Sequence, residues 1–422
     1  MRRKLLLIST IILALALSVG LNSCKKSDNG PSNLTLVSLK VGTIDLNGAV
    51  SPSNIPANPT IIATFNTNVD QTTATNANIT LTRSYDGANV PLTITVAGAV
   101  VTIVPTAGAI GNGALFTLAA STSVLSTGKL MMTTALSRTF TTVGTFVPTG
   151  QIAHWNFENN AIDSVGGYNP TASGVIAITY AASRNAAAGM AAQFNGTTSL
   201  IEIPNGDVLM NTTDFTLAFW AKEDSSQHDQ FVMGLAAWFG FQFEINNDFG
   251  ASNAGECKLA AQYSNVSDTS HSQDLWFNGA ATNSTKDNGG WKGWTYCKDL
   301  TGSGGLNALM QNKWAHFVAT YNSATKLGTI YVNGVKMKEQ DFNLYGSPMS
   351  NSTGLIYNGA ALNKQFVFGF IQDKTSPTLS DSWADYNVTT NSHYKGMLDD
   401  VRIFHRALTA VEIGLIYNSE KP

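Results

Sequence analysis

Residues 395–417 constrain this chain more than any other stretch, because they must run first as a strand and, a few residues later, as a helix. Met397, Val401 and Ile403 share one face by period-two alternation, and Asp399 falls on that same face. A carboxylate among apolar neighbours needs a partner. After Arg406 the spacing changes. Leu408, Val411, Ile413 and Leu415 suit one apolar side of a helix, with Thr409 as N-cap and Glu412 completing a capping box.

Upstream, residues 151–157 alternate Ala153, Trp155 and Phe157 with His154 and Asn156, and a polar, Gly-containing turn follows through Asp163 to Gly167. Further strand patterns are Ala192-Gln193-Phe194-Asn195-Gly196, Leu200-Ile201-Glu202-Ile203-Pro204 and Asp214-Phe215-Thr216-Leu217-Ala218-Phe219-Trp220. Trp314-Ala315-His316-Phe317-Val318 and Thr329-Ile330-Tyr331-Val332 supply a central pair, and Asn333-Gly334 predicts a tight hairpin. These motifs resemble a laminin-G-like, concanavalin A-like jelly roll, a family that closes with a strand like Gly396-Met397-Leu398-Asp399-Asp400-Val401-Arg402-Ile403 and a helix like Ala407-Leu408-Thr409 through Glu412-Ile413. The resemblance assigns 151–422 to that domain and implies a binding module, since the fold hosts binders of sugars, proteins and steroids as well as enzymes. It also leaves two uses for the acid in the closing strand. Asp399 accepts hydrogen bonds from backbone amides of the opening strand and turn, or joins Asp163 around a structural calcium ion, which favours hard oxygen ligands.

Residues 34–143 read as about seven short strands at sandwich spacing. Leu92, Ile94 and Val96 alternate with threonines, and Ile61, Ala63 and Phe65 keep the same period. Through Pro59-Thr60-Ile61-Ile62-Ala63-Thr64-Phe65, Val101-Thr102-Ile103-Val104-Pro105 and Thr139-Phe140-Thr141-Thr142 the stretch resembles a bacterial Ig-like domain. No cluster of His, Cys or carboxylates suggests chemistry there, so a spacer is expected, with 144–150 as the linker. The fold class is therefore all-β: an Ig-like sandwich followed by a concanavalin A-like jelly roll.

Arg2, Arg3 and Lys4 precede an apolar run over 5–19, which is too short for a comfortable membrane span and has the shape of a signal-peptide core. Leu21-Asn22-Ser23-Cys24 resembles the lipobox of bacterial lipoproteins. That implies a signal peptide over 1–23, lipidation of Cys24, a tether over 24–33, and a protein held at the outer membrane by its lipid, on the cell surface. Charged residues are 13% of the 422, with 25 basic against 28 acidic and no basic patch, which argues against nucleic acid as a partner. Of three cysteines, lipid takes Cys24 and leaves Cys257 and Cys297, for which a disulfide is the simplest use in an oxidising compartment.

The segment 223–312 is too long for one hairpin and carries aromatics in polar, Gly-rich surroundings. Trp238, Trp276, Trp291 and Trp294, with Phe239, Phe277 and Tyr296, lie there, and Trp383 with Tyr386 lie in a second insertion before the closing strand. Aromatics are costly to expose in loops and commonly mark a binding surface, so ligand contacts are expected from among these, with Trp291 and Trp294 as the leading platform and Trp276, Trp383 and Tyr386 next. An enzyme reading finds neither a nucleophile elbow nor metal-spaced histidines. Its nearest approach is Glu244, Asn246 and Asp248 on one strand face. This resembles the Glu-x-Asp-x-Glu strand of family 16 glycoside hydrolases, but Asn246 replaces the middle acid and Asp248 is shorter. The alternative for that stretch is a polar strand face backed by Phe241, Phe243 and Ile245. The expectation is a non-catalytic surface lipoprotein that captures polysaccharide, with a glycoside hydrolase or a protein-binding adhesin as the other classes.

Overall fold

The computed structural model describes residues 32–247, 255–267, 269–279, 294–361 and 363–422. Cys24 and the whole proposed leader, together with Asp248 and Trp291, lie outside the described residues. The chain divides into two compact units. One comprises the segments up to Thr141. The other is Thr142–Pro422 with the short pieces Ser84–Asp86 and Gly111–Leu115.

The first unit is built of nine strands. They are β1 (Leu36–Val41), β2 (Ile44–Asp45), β3 (Ile61–Phe65), β4 (Ile79–Arg83), β5 (Asn89–Val90), β6 (Leu92–Ala97), β7 (Val100–Pro105), β8 (Leu115–Ala120) and β9 (Leu136–Thr141). They form a five-stranded sheet in the order β2-β1-β3-β7-β6 and a four-stranded sheet in the order β5-β4-β8-β9. Alternation decides their faces: Ile61, Ala63 and Phe65 are buried while Ile62 and Thr64 are not. Phe116 and Phe140 stack at 5.7 Å in the interior.

The second unit is a two-sheet sandwich. Its strands begin with β10 (Gln151–Trp155), β11 (Val175–Ile176), β12 (Thr179–Ala182), β13 (Met190–Asn195), β14 (Leu200–Ile203), β15 (Phe215–Glu223) and β16 (Asp229–Leu235). The middle of the domain adds β17 (Phe241–Asn246), β18 (Glu256–Asn265), β19 (Ser270–Phe277), β20 (Trp294–Cys297), β21 (Trp314–Asn322) and β22 (Leu327–Val332). Last come β23 (Val335–Asp341), β24 (Ser352–Leu355), β25 (Phe366–Phe368) and β26 (Lys395–Phe404). The nine-stranded sheet runs β12-β13-β26-β15-β21-β22-β23-β20 with β10 also on β26. The eight-stranded sheet runs β11-β14-β25-β16-β17-β18-β19 with β24 on β18. Between them lies one aromatic core, in which Phe219 stacks on Phe317 at 5.5 Å and meets Phe243 edge-on at 4.9 Å. Asn333 and Gly334 take positive φ of 52° and 74°, the backbone that a two-residue hairpin between β22 and β23 demands.

The closing strand departs from its alternation. Register against β15 shifts between Ala218 and Trp220, and Asp400 sits in the left-handed region at φ 46°. This is a β-bulge, and it inverts the faces on either side. Leu398, Val401 and Ile403 point into the core, whereas Asp399 points outward beside Trp220 and Arg402. Asp399 is thus not on the apolar face, and a one-residue irregularity accounts for the difference. The helix Ala410–Glu420 forms behind the predicted capping box of Thr409 and Glu412. It covers that outward face with Ile413, Leu415 and Ile416, while Val411 turns to solvent at 40% exposure.

Beneath the helix the charges close on one another. Arg184 reaches Asp399 and Asp400 at 2.5 Å each, and donates to the Glu420 carbonyl at 2.8 Å. Arg402 joins Asp400 at 3.0 Å and Glu420 at 2.8 Å, and Trp220 donates its indole N–H to Glu420 at 2.9 Å. Burial works against the Asp400 charge, but Arg402, His154 and Arg184 hold its carboxyl well below the usual range. Burial and the neighbouring Asp400 push Asp399 the other way, up to about 8.

Candidate functional site

Asp163 and Asp399, the expected calcium ligands, are both engaged elsewhere. Asp163 accepts backbone N–H groups of His154 and Val165 on one oxygen and of Gly166 and Tyr168 on the other, all at 2.8–2.9 Å. Asp399 is paired with Arg184 and accepts from Ser183. A carboxylate saturated by four N–H donors has nothing left for a cation, so this pair makes no metal site. Among the described residues no group of three or more His, Cys, Asp or Glu is placed to hold one.

The two thiols are unbonded, which corrects the expected disulfide. Cys257 belongs to β18, paired between Ile245 and Phe277, and Cys297 to β20 beside Lys338 on the opposite sheet. Burial pushes the Cys297 thiol up to about 11 and that of Cys257 further still.

Trp294 is not a platform. It is 1% exposed, meets Trp276 edge-on at 5.1 Å and lies under the Lys338 ammonium, 3.2 Å from its ring centre. Lys338 is itself buried and its amine is pushed down to about 7 by that burial. Tyr386 is half-buried, donates its hydroxyl to the Thr198 carbonyl at 2.6 Å and packs on Phe370 and His393, so it holds the second insertion in place.

Trp383 stands differently. The insertion that carries it lays Phe370, Ile371, Leu379 and Ala384 over the outer face of the eight-stranded sheet and covers roughly its β14–β25 side. Among the described residues, none from β17, β18 or β19 belongs to that cluster. At the boundary, Trp383 stacks on Trp238 at 5.6 Å and 22°, and approaches Phe231 at 6.0 Å, yet remains 39% exposed. Trp238 is presented by a turn in which Ala236 and Ala237 are both left-handed, φ 51° and 52°. Two consecutive non-glycine residues in that region cost on the order of 1–2 kcal/mol each. Such strain clusters at functional sites.

Below the paired indoles the outward positions of β17, β18 and β19 form a polar grid. Register places Glu244 beside Lys258 and Lys258 beside Trp276, with Gln242, Ala260 and Asp274 as the next row. The Lys258 ammonium lies 3.0 Å from Glu244 and 3.8 Å from Asp274. Gln242 donates to the other oxygen of Glu244, while its own carbonyl oxygen, buried at 3% residue exposure, has no partner. Burial pushes the Glu244 carboxyl upward against the opposing charge of Lys258. These side chains line a cleft of about 360 Å³ together with Trp238, Trp383, Phe231 and Ser272. On the reverse of β17, Phe241, Phe243 and Ile245 are fully buried, as the alternation predicts.

Residues 195–373 match the family model Laminin_G_3, the concanavalin A-like lectin/glucanases superfamily. The domain is concanavalin A-like. Among solved structures it is similar to domain 4 of AbnA, a GH43 extracellular arabinanase from Geobacillus stearothermophilus, in complex with arabinotriose. The identity is 18% over 64% of this chain and 98% of that one, with a TM-score of 0.38. It is also similar to the binding domain of Paraclostridial Mosquitocidal Protein 1, at 13% identity over 64% and 52% of the two chains and a TM-score of 0.39. The botulinum neurotoxin serotype D ligand binding domain in complex with N-acetylneuraminic acid shares 14% identity over 64% and 51%, with a TM-score of 0.37. This chain spans about half of each toxin domain. No curated protein matches the sequence.

Of the expected contacts, then, Trp383 borders the cleft of the concanavalin A-like domain and Trp276 flanks its grid, while Trp294 and Tyr386 support loops. Trp238, one of the aromatics noted in that segment, is the partner of Trp383, whereas Gln242, Lys258 and Asp274 were not singled out as contacts from the sequence. Their signal was there in the alternation of Gln242 and Glu244 with Phe241, Phe243 and Ile245, and of Lys258 with Cys257 and Leu259, whereas Ser272 and Asp274 alternate with polar His271 and Gln273. What was missing was the register that sets three strands side by side.

Proposed function

We propose that the outer-face cleft binds carbohydrate without cleaving it. The observation that carries this is the Trp383–Trp238 pair, with Trp383 exposed and Trp238 half-buried, standing over a floor with an unpartnered buried acceptor, Gln242. An indole face suits the C–H face of a sugar ring, and a few fixed polar groups suit its hydroxyls. The description of the matching family, concanavalin A-like lectin/glucanases, supports a carbohydrate ligand and fits binding and cleavage equally. Binding is favoured over hydrolysis because both oxygens of Glu244 are engaged, by Gln242 and by Lys258. The same ammonium stands between Glu244 and Asp274, where a two-carboxylate hydrolase would need to place the sugar. The first unit then serves as an Ig-like spacer, and Cys24 as the lipid anchor to the outer membrane.

A polysaccharide array on the purified chain, scored for retention and for released sugar, tests the proposal. Retention without release is expected, with Trp383→Ala losing it. Release that disappears in Glu244→Gln would replace binding by hydrolysis, and retention of protein but of no glycan would favour an adhesin.

A further inference from the structure

Resting on the reading of the cleft as a sugar site, we infer that its ligand is a chain of neutral or amino-bearing sugar units, and that carboxylate- and sulfate-bearing glycans are turned away. Three observations lead there.

The first is charge. Among the described lining residues Lys258 is the one cation, and it is shared between Glu244 and Asp274 at 3.0 and 3.8 Å. Two carboxylates against one ammonium leave the floor with a net negative charge. An anionic sugar would meet that charge at short range in a partly desolvated cleft, where screening is weak.

The second is hydrogen-bond polarity. Gln242 offers a carbonyl oxygen with no donor, and Asp274, whose side chain is 48% exposed, offers a carboxylate with room around it. Of the floor's donors, the Gln242 amide N–H and one N–H of the Lys258 ammonium go to Glu244, with Asp274 lying 3.8 Å from the same ammonium. A floor rich in acceptors selects a ligand that donates. Hydroxyl and ammonium groups do so; carboxylate and sulfate groups cannot.

The third is extent. The path from Phe231 and Trp383 on the β16 side to Trp276 on β19 crosses three strand spacings, on the order of 14 Å. Indoles stand at both ends with the polar rows between, which suits several linked rings better than one.

The experiment is affinity electrophoresis of the full chain and of two variants, Trp383→Ala and Asp274→Asn, in gels containing a neutral β-glucan, a soluble chitosan, polygalacturonate or dextran sulfate. The expected result is retardation of the wild type by the glucan or the chitosan and not by the two polyanions. Asp274→Asn should raise retention on polygalacturonate by about three- to tenfold, the effect of removing one unit charge at this range. Retardation of the wild type by a polyanion, lost in Trp383→Ala, would overturn the inference while leaving the cleft as the sugar site. Unchanged exclusion of polyanions in Asp274→Asn would also overturn it, since charge would then not be the cause. Retardation by any of the four gels that Trp383→Ala does not alter would remove the site assignment itself, and the inference with it.

Discussion

The outer faces of the two sheets of the larger domain both carry buried carboxylates, and they use them in opposite ways. On the nine-stranded sheet, Asp399, Asp400 and Glu420 meet Arg184 and Arg402 under the C-terminal helix, with Arg184 also 4.8 Å over the Trp220 ring. His316, tilted against Trp220 with ring centres 5.0 Å apart, is kept neutral, its imidazole pushed down to about 3 by burial and the nearby arginines. On the eight-stranded sheet, Glu244 and Asp274 share a single lysine, a glutamine oxygen has no partner, and two indoles stand open at the rim. Buried ion pairs are weak indicators of stability and perturbed carboxyls weak indicators of function when taken alone. What separates the two faces is closure. One set of acids is paired and roofed by the chain's own helix, and the other is left facing a cavity.

The comparison breaks most sharply at Arg184. Removing one partner of a buried charge network leaves the others uncompensated, at a cost of roughly 3–5 kcal/mol. Arg184→Ala should lower the urea midpoint by an amount that matches this loss, while retardation by polysaccharide in native conditions stays as in the parent. A variant that stays stable but loses its sugar would show that the closed face is the functional one.

Glu256 sharpens the other side. It is buried, has no ion-pair partner among the described residues, and its carboxyl is pushed by burial up to about 7 from an ordinary 4.5. The folded state therefore holds the proton more tightly than the unfolded chain. Stability from this group is fully present below about pH 4.5 and declines as pH rises to about 7, because the unfolded chain binds fewer protons over that window. The shift corresponds to about 3 kcal/mol. Glu256→Gln should remove that part of the decline, so the difference between parent and variant melts should grow with pH from 4.5 to 7 and then level. A difference independent of pH would mean that the carboxyl is ionised in the fold throughout.

Trp383 comes next. Truncation to Ala removes a half-open stacking face, so binding should fall by about 1.5–3 kcal/mol, roughly ten- to a hundredfold. The thermal melt should move far less than for Arg184→Ala. Equal losses in both measurements would make Trp383 a roof for Trp238 rather than a platform.

Much of the sandwich was legible because strand faces announce themselves. Phe241, Phe243 and Ile245 declared the inner side of β17, and Asn333-Gly334 declared its hairpin, since both depend only on local geometry. The Thr409–Glu412 cap was local as well. Asp399 was misplaced because the bulge at Asp400 leaves no mark in composition, and a slip of one residue moves every side chain beyond it to the other face. The disulfide expectation rested on a count, and counting cysteines says nothing of whether two thiols are brought within bonding distance. Trp294 looked like a platform because a Gly-rich loop suggests exposure, yet Lys338 and Trp276 enclose it. The cleft itself needed three strands from 241–277 in register, and pairing of that kind is not written in any one of them.

Gln242 carries the finest test of the difference between a closed and an open face. Its amide N–H is used by Glu244, but its oxygen is buried without a donor, which in a purely structural role is a liability of about 1–3 kcal/mol. Gln242→Met keeps the length and fills the same space with a thioether. The fold loses the hydrogen bond to Glu244, worth about 1 kcal/mol, and is relieved of the orphan acceptor, so the net change in the melt should be small. If the oxygen waits for a sugar hydroxyl, the same substitution should weaken retention by about fivefold, the equivalent of one hydrogen bond of about 1 kcal/mol. The two readouts then part: stability nearly constant, affinity down. A variant that binds as well as the parent would show that the ligand never reaches this oxygen, and the contact surface would have to lie nearer the rim at Trp238, Trp383 and Ser272.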